Sequence, residues 1–451
     1  MATATHEQWS SKTGFILAAV GGAVGLGNIW KFPYVTGENG GGAFVIIYLI
    51  AALAVALPIL IGELYLGKRG QAGPVSGTRK VALEEGMGAE VSVIGWLGML
   101  AAFLVLTFYS MIAGWALYYF FLTLGGTFNG MDAVTAAGQF DLLLDSAPNM
   151  TLWHTIFMVI TGLIVARGIT GGIEKSVKIM MPAFFIMLLF MLVYAMIAAD
   201  FAAGWDYMFT PDWSKVSAQT FLAAIGQAFF SIGISFGYML AYGAYLPKDI
   251  SIPRTSVIIV FADTAVAIVA GLVIFPIVFA NGLAPDQGPA LIFRVLPTAF
   301  ASMTGGQFIG GTFFLLLTFA ALSSSIAILQ PVVSYFEESH GFSVKKATVV
   351  GGAGAWFLGI GSVFSYNIWQ DKTFLGDRNF MDSIVYLTDN IMMPLGGILI
   401  ALFVGWTIRE HVLKEEWGVD GNSFLFKVWL WLLRIFAPIA VGYIMLSTFI
   451  G

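Results

Sequence analysis

The chain has 451 residues, of which 58% are hydrophobic and only 10% are charged, and its mean hydropathy is +0.86. These values are typical of a polytopic membrane protein and exclude a pair of soluble domains. The net charge of −5 includes no basic tract, which argues against nucleic-acid binding. The absence of cysteine and the presence of only four scattered histidines argue against a metal- or haem-dependent membrane enzyme.

Long apolar runs predict about eleven transmembrane helices, each near the roughly 20 residues that a bilayer requires. The predicted spans are 13–35, 43–66, 91–124, 152–165, 177–199, 220–246, 257–280, 308–335, 348–364, 384–408 and 424–449. We expect residues 1–451 to form a single transmembrane domain of an all-α protein in the cell membrane. Lysine and arginine accumulate in the loops on one side, which predicts a cytoplasmic N-terminus and an extracellular C-terminus.

The first span contains a cluster of glycines, Gly21, Gly22, Gly25 and Gly27. Each glycine costs about 1 kcal/mol relative to alanine inside a helix, so the cluster predicts a break. The half-helix before a break ends in partial negative charge and suits a cation, whereas the following half-helix begins with free amides and suits an anion. Glycines also serve close helix packing in membranes. Asn28, an amide that is costly to bury beside the break, favours a binding site.

The sixth span repeats this pattern in the segment GQAFFSIGISFGYMLAY, where Gly233 and Gly237 interrupt an aromatic-rich helix. Two broken spans, five apart, predict two five-helix halves of inverted topology, with a site where the breaks meet. The halves would be residues 1–200 and 215–412, followed by an eleventh helix at 424–449. Two unrelated kinks are the alternative, because the halves share no visible residue-level similarity.

Several long motifs carry a family resemblance: WSSKTGFILAAVGGAVGLGNIWKFPY followed by ENGGGAF, GQAFFSIGISFGY, and ALSSSIAILQP. Together they resemble the neurotransmitter:sodium symporters, above all the bacterial amino-acid members of the LeuT type. The resemblance covers the first to the eleventh helix. It implies a LeuT-type fold, with helices 1 and 6 broken at mid-membrane, and sodium-coupled secondary symport by alternating access.

The resemblance also implies a set of ion and substrate ligands. The first sodium site, Na1, would comprise Ala23, Asn28, Ser231 and Asp263, and the second, Na2, Gly21, Val24, Ala320, Ser323 and Ser324. The substrate-binding residues would be Leu26, Gly27, Val105, Tyr109, Phe230, Ser231, Gly233, Phe236, Ser324 and Ile328. Hard oxygen ligands of this kind suit alkali cations. Taken alone, three consecutive serines fit helix packing equally well.

Three positions bear on what is transported. Gly25 stands where amine-transporting relatives carry an aspartate, so the substrate would supply its own carboxylate to the amides of Leu26 and Gly27. Gly233 stands where the leucine-type members have a serine and would leave room for large hydrophobic L-amino acids, aliphatic and aromatic. Asp263 replaces the usual asparagine and would itself bring negative charge to sodium, which implies chloride-independent transport.

The resemblance places a gate on each side of the site. Lys31 and Asp382 would form the extracellular gate pair, and Glu63 would bind the backbone of the broken helices. A carboxylate inside a membrane is functional by default, although an interfacial position of Glu63 near the cytoplasmic end is the alternative.

The intracellular gate would use Glu338, Trp9 and Tyr245. Its usual N-terminal arginine is missing, and His6 stands at that position. An ordinary solvated residue at a helix end is the alternative for Glu338. A further expectation is that the fifth helix unwinds between Gly172 and Pro182, because proline removes a backbone hydrogen bond.

The function that these observations predict is sodium-coupled import of hydrophobic L-amino acids with two sodium ions. A proton-coupled amino-acid transporter of the same architecture is the nearest alternative. A channel is disfavoured by the two gates and the midplane site.

Overall fold

The computed structural model describes residues 8–247, 250–286, 291–418 and 423–450, and this part of the chain is almost entirely helical. Nine of its helices are long and apolar enough to cross a membrane, and a bent pair makes a tenth span. In chain order, the spanning helices and half-helices are α1 (Lys12–Ala23), α2 (Gly27–Glu38), α3 (Gly42–Gly70), α4 (Ala89–Leu124), α5 (Ala147–Val165), α6 (Ile169–Ala198), α7 (Ala218–Ile232), α8 (Tyr238–Ala244), α9 (Ile252–Ala280), α10 (Gly306–His340), α11 (Val344–Phe364), α12 (Phe380–Thr407) and α13 (Phe424–Ser447). Shorter helices lie in the loops between them, at Pro74–Glu84, Ala133–Leu144, Phe201–Phe209, Leu296–Ser302 and Glu410–Trp417. With α7 and α8 counted as one broken span, the helices match the eleven predicted spans.

The first predicted break lies between α1 and α2, whose axes differ by 44°. Val24 leaves the helical region with φ −72° and ψ 103°, and α2 begins with a π-helical stretch, Gly27–Lys31. Ser11 caps the start of α1 by accepting a hydrogen bond from the backbone N–H of Gly14 at 3.0 Å. The glycine cluster therefore breaks the span at the position that the sequence predicts.

The second break lies between α7 and α8. Gly233, Ser235 and Gly237 all have positive φ, of 74°, 65° and 69°. This conformation is strained for the non-glycine Ser235, and a neighbouring helix supports it. The backbone N–H of Ser235 donates to Oε1 of the fully buried Glu63 on α3 at 2.9 Å. Glu63 therefore lies in the protein core beside the break, rather than at an interface.

Several helices extend beyond their apolar runs, because polar residues continue the helix where hydropathy falls. α6 begins eight residues before the predicted span, in a π-helical stretch at Ile169–Glu174, and continues through Pro182. α10 is the central helix: 83% of its most apolar 18-residue stretch is buried, whereas the corresponding value for α5, α6 and α13 is 33%. α10 packs beside the first break, where Ser324 contacts the carbonyls of Gly21 and Val24. The other three helices expose wide faces to lipid.

Candidate functional site

A buried cluster of polar side chains joins the first break to α7 and α9. Asn28 Nδ2 lies 2.7 Å from Asp263 Oδ1 and 2.9 Å from Ser231 Oγ, and Ser231 Oγ lies 3.0 Å from both Asp263 carboxylate oxygens. Tyr48 on α3 donates to Asp263 Oδ2 at 3.2 Å. All four side chains are buried. Three predicted Na1 residues thus meet around one carboxylate, and the fourth, Ala23, lines the adjoining cavity.

The backbone groups left unpaired by the first break find partners in neighbouring helices. The N–H of Gly25 donates to Asn28 Oδ1 at 2.9 Å, and the N–H of Leu26 donates to the Tyr109 hydroxyl at 3.2 Å. Gln227 on α7 donates to the carbonyl of Gly27 at 2.7 Å. These contacts offset the cost of exposing backbone in a membrane. Tyr48 and Gln227 were not predicted as site residues. Their partners lie 215 and 200 residues away in the chain, so no local sequence pattern indicates these contacts.

The predicted Na2 residues form a second oxygen cluster where α1 ends. Ser324 Oγ on α10 lies 3.3 Å from the carbonyl oxygen of Gly21 and 3.2 Å from that of Val24. The adjacent Ser323 donates to the carbonyl of Ala320, about one turn earlier on α10, at 3.0 Å. Hydroxyl and carbonyl oxygens at the negative end of a helix suit an alkali cation. Within the described ranges, histidine, aspartate and glutamate side chains form no group of three that could hold a metal ion.

Between the two clusters lies a small cavity of about 10 Å³, roughly the volume that admits one water molecule. Its lining residues are Gly22, Ala23, Gly25, Gly27, Val105, Tyr109, Phe230, Ser231, Gly233, Phe236, Ser324 and Ile328. Every predicted substrate residue except Leu26 is among them. The backbone N–H of Leu26 donates a hydrogen bond to the hydroxyl of Tyr109, which does line the cavity. Side chains fill the predicted pocket. The rings of Phe230 and Phe236 pack edge to face, with their centres 6.1 Å apart.

A second constraint acts on Gly233, besides the room for substrate that the sequence predicts. A Cβ built on Gly233 would lie 2.6 Å from the Tyr238 hydroxyl, and its φ of +74° favours glycine. The close approach of Tyr238 and the positive φ therefore both favour glycine at this position in this chain. A test of pocket size belongs at Ile328, which lines the same cavity from the regular helix α10.

A larger cavity of about 440 Å³, which we call the vestibule, lies on the other side of the Phe230 ring. Lys31 Nζ lies 2.9 Å from Asp389 Oδ2 and 3.9 Å from the centre of the Phe230 ring. The predicted pairing of Lys31 with Asp382 is therefore wrong in this structure. Asp382 lines the same vestibule, but Asp389 is two helical turns further along the same face of α12 and reaches the ammonium group.

The opposite side of the site is closed by the segment before α1. Trp9 is 3% exposed, and its indole N–H donates to the carbonyl of Tyr242 at 3.1 Å. The backbone N–H of Trp9 donates to the carbonyl of Tyr245 at 3.4 Å. Glu338 is exposed and accepts from the backbone N–H of Gly73 at 2.6 Å. His6, the expected replacement for the gate arginine, lies outside the described residues.

Glu174 holds the segment before α1 against α6, and this residue was not predicted from the sequence. Its buried carboxylate accepts from the backbone N–H of Ser10 at 2.8 Å and from the Ser11 hydroxyl at 3.2 Å, and it pairs with Lys178 at 2.6 Å. A Cβ on Gly14 would collide with this carboxylate, so glycine permits the close approach. An acidic residue in an otherwise basic loop is the one signal that the sequence offers.

The architecture and the site define a class: a helical membrane protein in which two broken helices meet at buried oxygen clusters, with a vestibule on one side. The model of the sodium:neurotransmitter symporter family matches residues 6–131 and 143–366, and the chain belongs to this family. The family consists of sodium-coupled transporters and not of enzymes. The resemblance drawn from the sequence motifs is therefore confirmed.

Particular relatives match the chain over nearly its whole length. It is 34% identical to YhdH of Bacillus subtilis, an uncharacterized sodium-dependent transporter, over 98% of this chain and 97% of that protein. It is 32% identical to an uncharacterized sodium-dependent transporter of Haemophilus influenzae, over 98% of both chains. The crystal structure of MhsT in complex with L-phenylalanine superposes with a TM-score of 0.91 at 40% identity, covering 98% of this chain and 99% of MhsT. The predicted LeuT-type fold is thereby confirmed.

Proposed function

We propose that this protein imports hydrophobic L-amino acids, aliphatic and aromatic, by symport with two sodium ions. The observation that carries the proposal is the pair of oxygen clusters that flank the first break. Asn28, Ser231 and Asp263 meet on one side, and Gly21, Val24 and Ser324 meet on the other. One cation beside each cluster would leave the amides of the break to an anion between them.

Asp263 supports a cation requirement at Na1. Its carboxylate is fully buried, and its hydrogen-bond partners are an amide and two hydroxyl groups, none of which carries positive charge. A buried carboxylate without a cation is costly in a membrane, and sodium would supply the missing charge. Because Asp263 brings the negative charge itself, a chloride ion is unnecessary, and Ala267 one turn on offers no hydroxyl to hold one.

The geometry at Gly25 supports an α-amino acid substrate. A Cβ built there would lie 2.6 Å from the Tyr109 hydroxyl and would also collide with Ser324 Oγ, so no acidic side chain fits at the break. The substrate's own carboxylate would instead bind the amides of Leu26 and Gly27 and the Tyr109 hydroxyl. Its side chain would lie against Val105, Phe230, Phe236 and Ile328, which supply only apolar surface. The similar transporter MhsT has been crystallised with L-phenylalanine.

Alternating access would use the two closures on either side of the cavity. On the vestibule side, displacement of Phe230 and the Lys31–Asp389 pair would admit substrate. On the other side, release of Trp9 and Tyr245 would open the cavity, with α6 unwinding between Gly172 and Pro182. We infer that the vestibule side is extracellular and that the N-terminus is cytoplasmic in the cell membrane. The halves 1–200 and 215–412 would form the inverted repeat.

The proposal is tested by binding of radiolabelled phenylalanine to purified protein in sodium chloride, potassium chloride and sodium gluconate. We expect binding in both sodium salts and none in potassium. Ile328→Ala should weaken phenylalanine binding by about tenfold or more, because several buried methylene groups at about 0.8 kcal/mol each are lost. Phe357→Ala, on the exposed lipid-facing side of α11, is the matched control. Equal binding in potassium would contradict the proposal.

A further inference from the structure

A groove on the lipid-facing surface is unrelated to the substrate cavity. It lies between α3 and α9, is bordered by α13, and has a volume of about 440 Å³. Leu53, Val257 and Leu425 line it and are 58%, 51% and 69% exposed. Its walls are almost wholly apolar, so its occupant within the membrane must present hydrocarbon. We call it the α3–α9 groove.

The groove continues along α9 as an elongated channel. A second cavity of about 400 Å³ shares Leu53, Leu57 and Val257 with the first and extends to Val269. Pro253 and Val269 mark the two ends, and at 1.5 Å per helical residue they are about 24 Å apart. This length covers most of the roughly 30 Å hydrocarbon core of a bilayer. A long, narrow, apolar channel of these dimensions suits an acyl chain better than a compact ligand.

One positive charge lies at the end of the groove nearest the start of α9. Arg254 is exposed on the first turn of α9 and has no ion pair or hydrogen bond with any described residue. Trp417 contributes apolar ring surface to the groove, and its indole N–H is buried inside the protein. Glu416, the residue before Trp417, pairs with Lys68 at 2.5 Å. This end of the groove therefore combines an unpaired guanidinium group with apolar walls, which suits the phosphate of a lipid headgroup.

We propose that the α3–α9 groove binds a phospholipid with an acidic headgroup. The phosphate lies at Arg254, and one acyl chain runs along Leu53, Val257 and Phe261. In the orientation proposed above, this lipid belongs to the cytoplasmic leaflet. α9 also carries Asp263, so the lipid packs on the outer side of the helix that supplies the buried carboxylate. This lipid site requires only that the protein is inserted in a membrane, and it does not depend on which substrate the protein transports.

The test is native mass spectrometry of the full-length purified protein titrated with phosphatidylglycerol or phosphatidylcholine. Arg254→Gln should weaken the first phosphatidylglycerol binding event about fivefold, the factor expected for one basic side chain near an anionic lipid. Phosphatidylcholine binding should change less. Arg79→Gln, which removes an exposed arginine from the loop helix Pro74–Glu84, is the matched control and should change neither lipid.

A second variant tests the acyl-chain channel. Val257→Trp fills the segment shared by the two cavities and should abolish the first binding event of both lipids, whereas Val193→Trp on the exposed face of α6 should not. Sodium-dependent phenylalanine binding by each variant verifies that it is folded. If Arg254→Gln behaves like Arg79→Gln, the headgroup assignment is wrong. If Val257→Trp retains the first lipid as Val193→Trp does, the groove is not the lipid site.

Discussion

Lys31 Nζ lies 2.9 Å from Asp389 Oδ2, and the same ammonium group lies 3.9 Å from the centre of the Phe230 ring. One side chain thus joins α2, α7 and α12 at the boundary between the vestibule and the central cavity. The Lys31 and Asp389 side chains are only 19% and 18% exposed, so this ion pair is screened less than one on an open surface. The contact is positioned to hold the vestibule side of the cavity closed.

Asp389→Asn should therefore speed substrate release. Removal of an ion pair of roughly 1 kcal/mol increases the dissociation rate of bound phenylalanine about fivefold. The measurement is washout of radiolabelled phenylalanine from purified protein in sodium. Asp382→Asn, on the same helix and in the same vestibule, is the matched control. A larger effect from Asp382→Asn than from Asp389→Asn would restore the pairing first expected from the sequence.

Sodium affinity should depend on the buried carboxylate of Asp263. Asp263→Asn retains the hydrogen-bonding shape but removes the charge, so the sodium concentration for half-maximal phenylalanine binding should rise by about tenfold or more. Asp206→Asn, an exposed aspartate on the loop helix Phe201–Phe209, is the matched control. Replacement of chloride by gluconate should leave wild-type uptake intact. Chloride dependence in the wild type would show that Asp263 does not replace the anion.

The substrate should need a free carboxylate. Tryptamine lacks this group, and the absence of any side chain at Gly25 leaves the amides of Leu26 and Gly27 without a substitute anion. We expect unlabelled tryptophan to displace radiolabelled tryptophan and tryptamine to fail at the same concentrations. Competition by tryptamine at a similar concentration would mean that the break does not bind a carboxylate.

Glu174 should keep the cavity closed on the Trp9 side. Glu174→Gln weakens its contacts with Ser10, Ser11 and Lys178, so it should favour the state that is open on that side. Because the chain has no cysteine, a single cysteine at the buried Ser334 can report on this opening. Glu174→Gln should raise the rate at which a membrane-impermeant maleimide alkylates this cysteine by about fivefold. Glu415→Gln, which changes an exposed glutamate on the same side of the protein, is the control. Equal alkylation rates in the two variants would show that Glu174 does not hold this side closed.

The sequence predicted the breaks and the residues around them because polar and glycine residues are conspicuous in apolar runs. Asn28, Ser231 and Asp263 stand out for this reason, the family resemblance assigned them to one site, and the structure brings them together. The family resemblance pointed to Asp382 alone as the partner of Lys31. Asp389 was not predicted, since residues seven apart share one face of a helix and only packing selects the nearer carboxylate. Contacts such as Gln227 with Gly27 depend on tertiary packing and have no periodic signature.

Coupling of hydrophobic amino-acid uptake to sodium can be measured with the purified protein in liposomes. Phenylalanine uptake is followed while inward sodium, potassium and proton gradients are imposed one at a time. We expect concentrative uptake with the sodium gradient alone, and its loss in the double variant Asp263→Asn, Ser324→Ala, which alters both oxygen clusters. Concentrative uptake driven by a proton gradient in the absence of sodium would show that protons and not sodium ions drive transport.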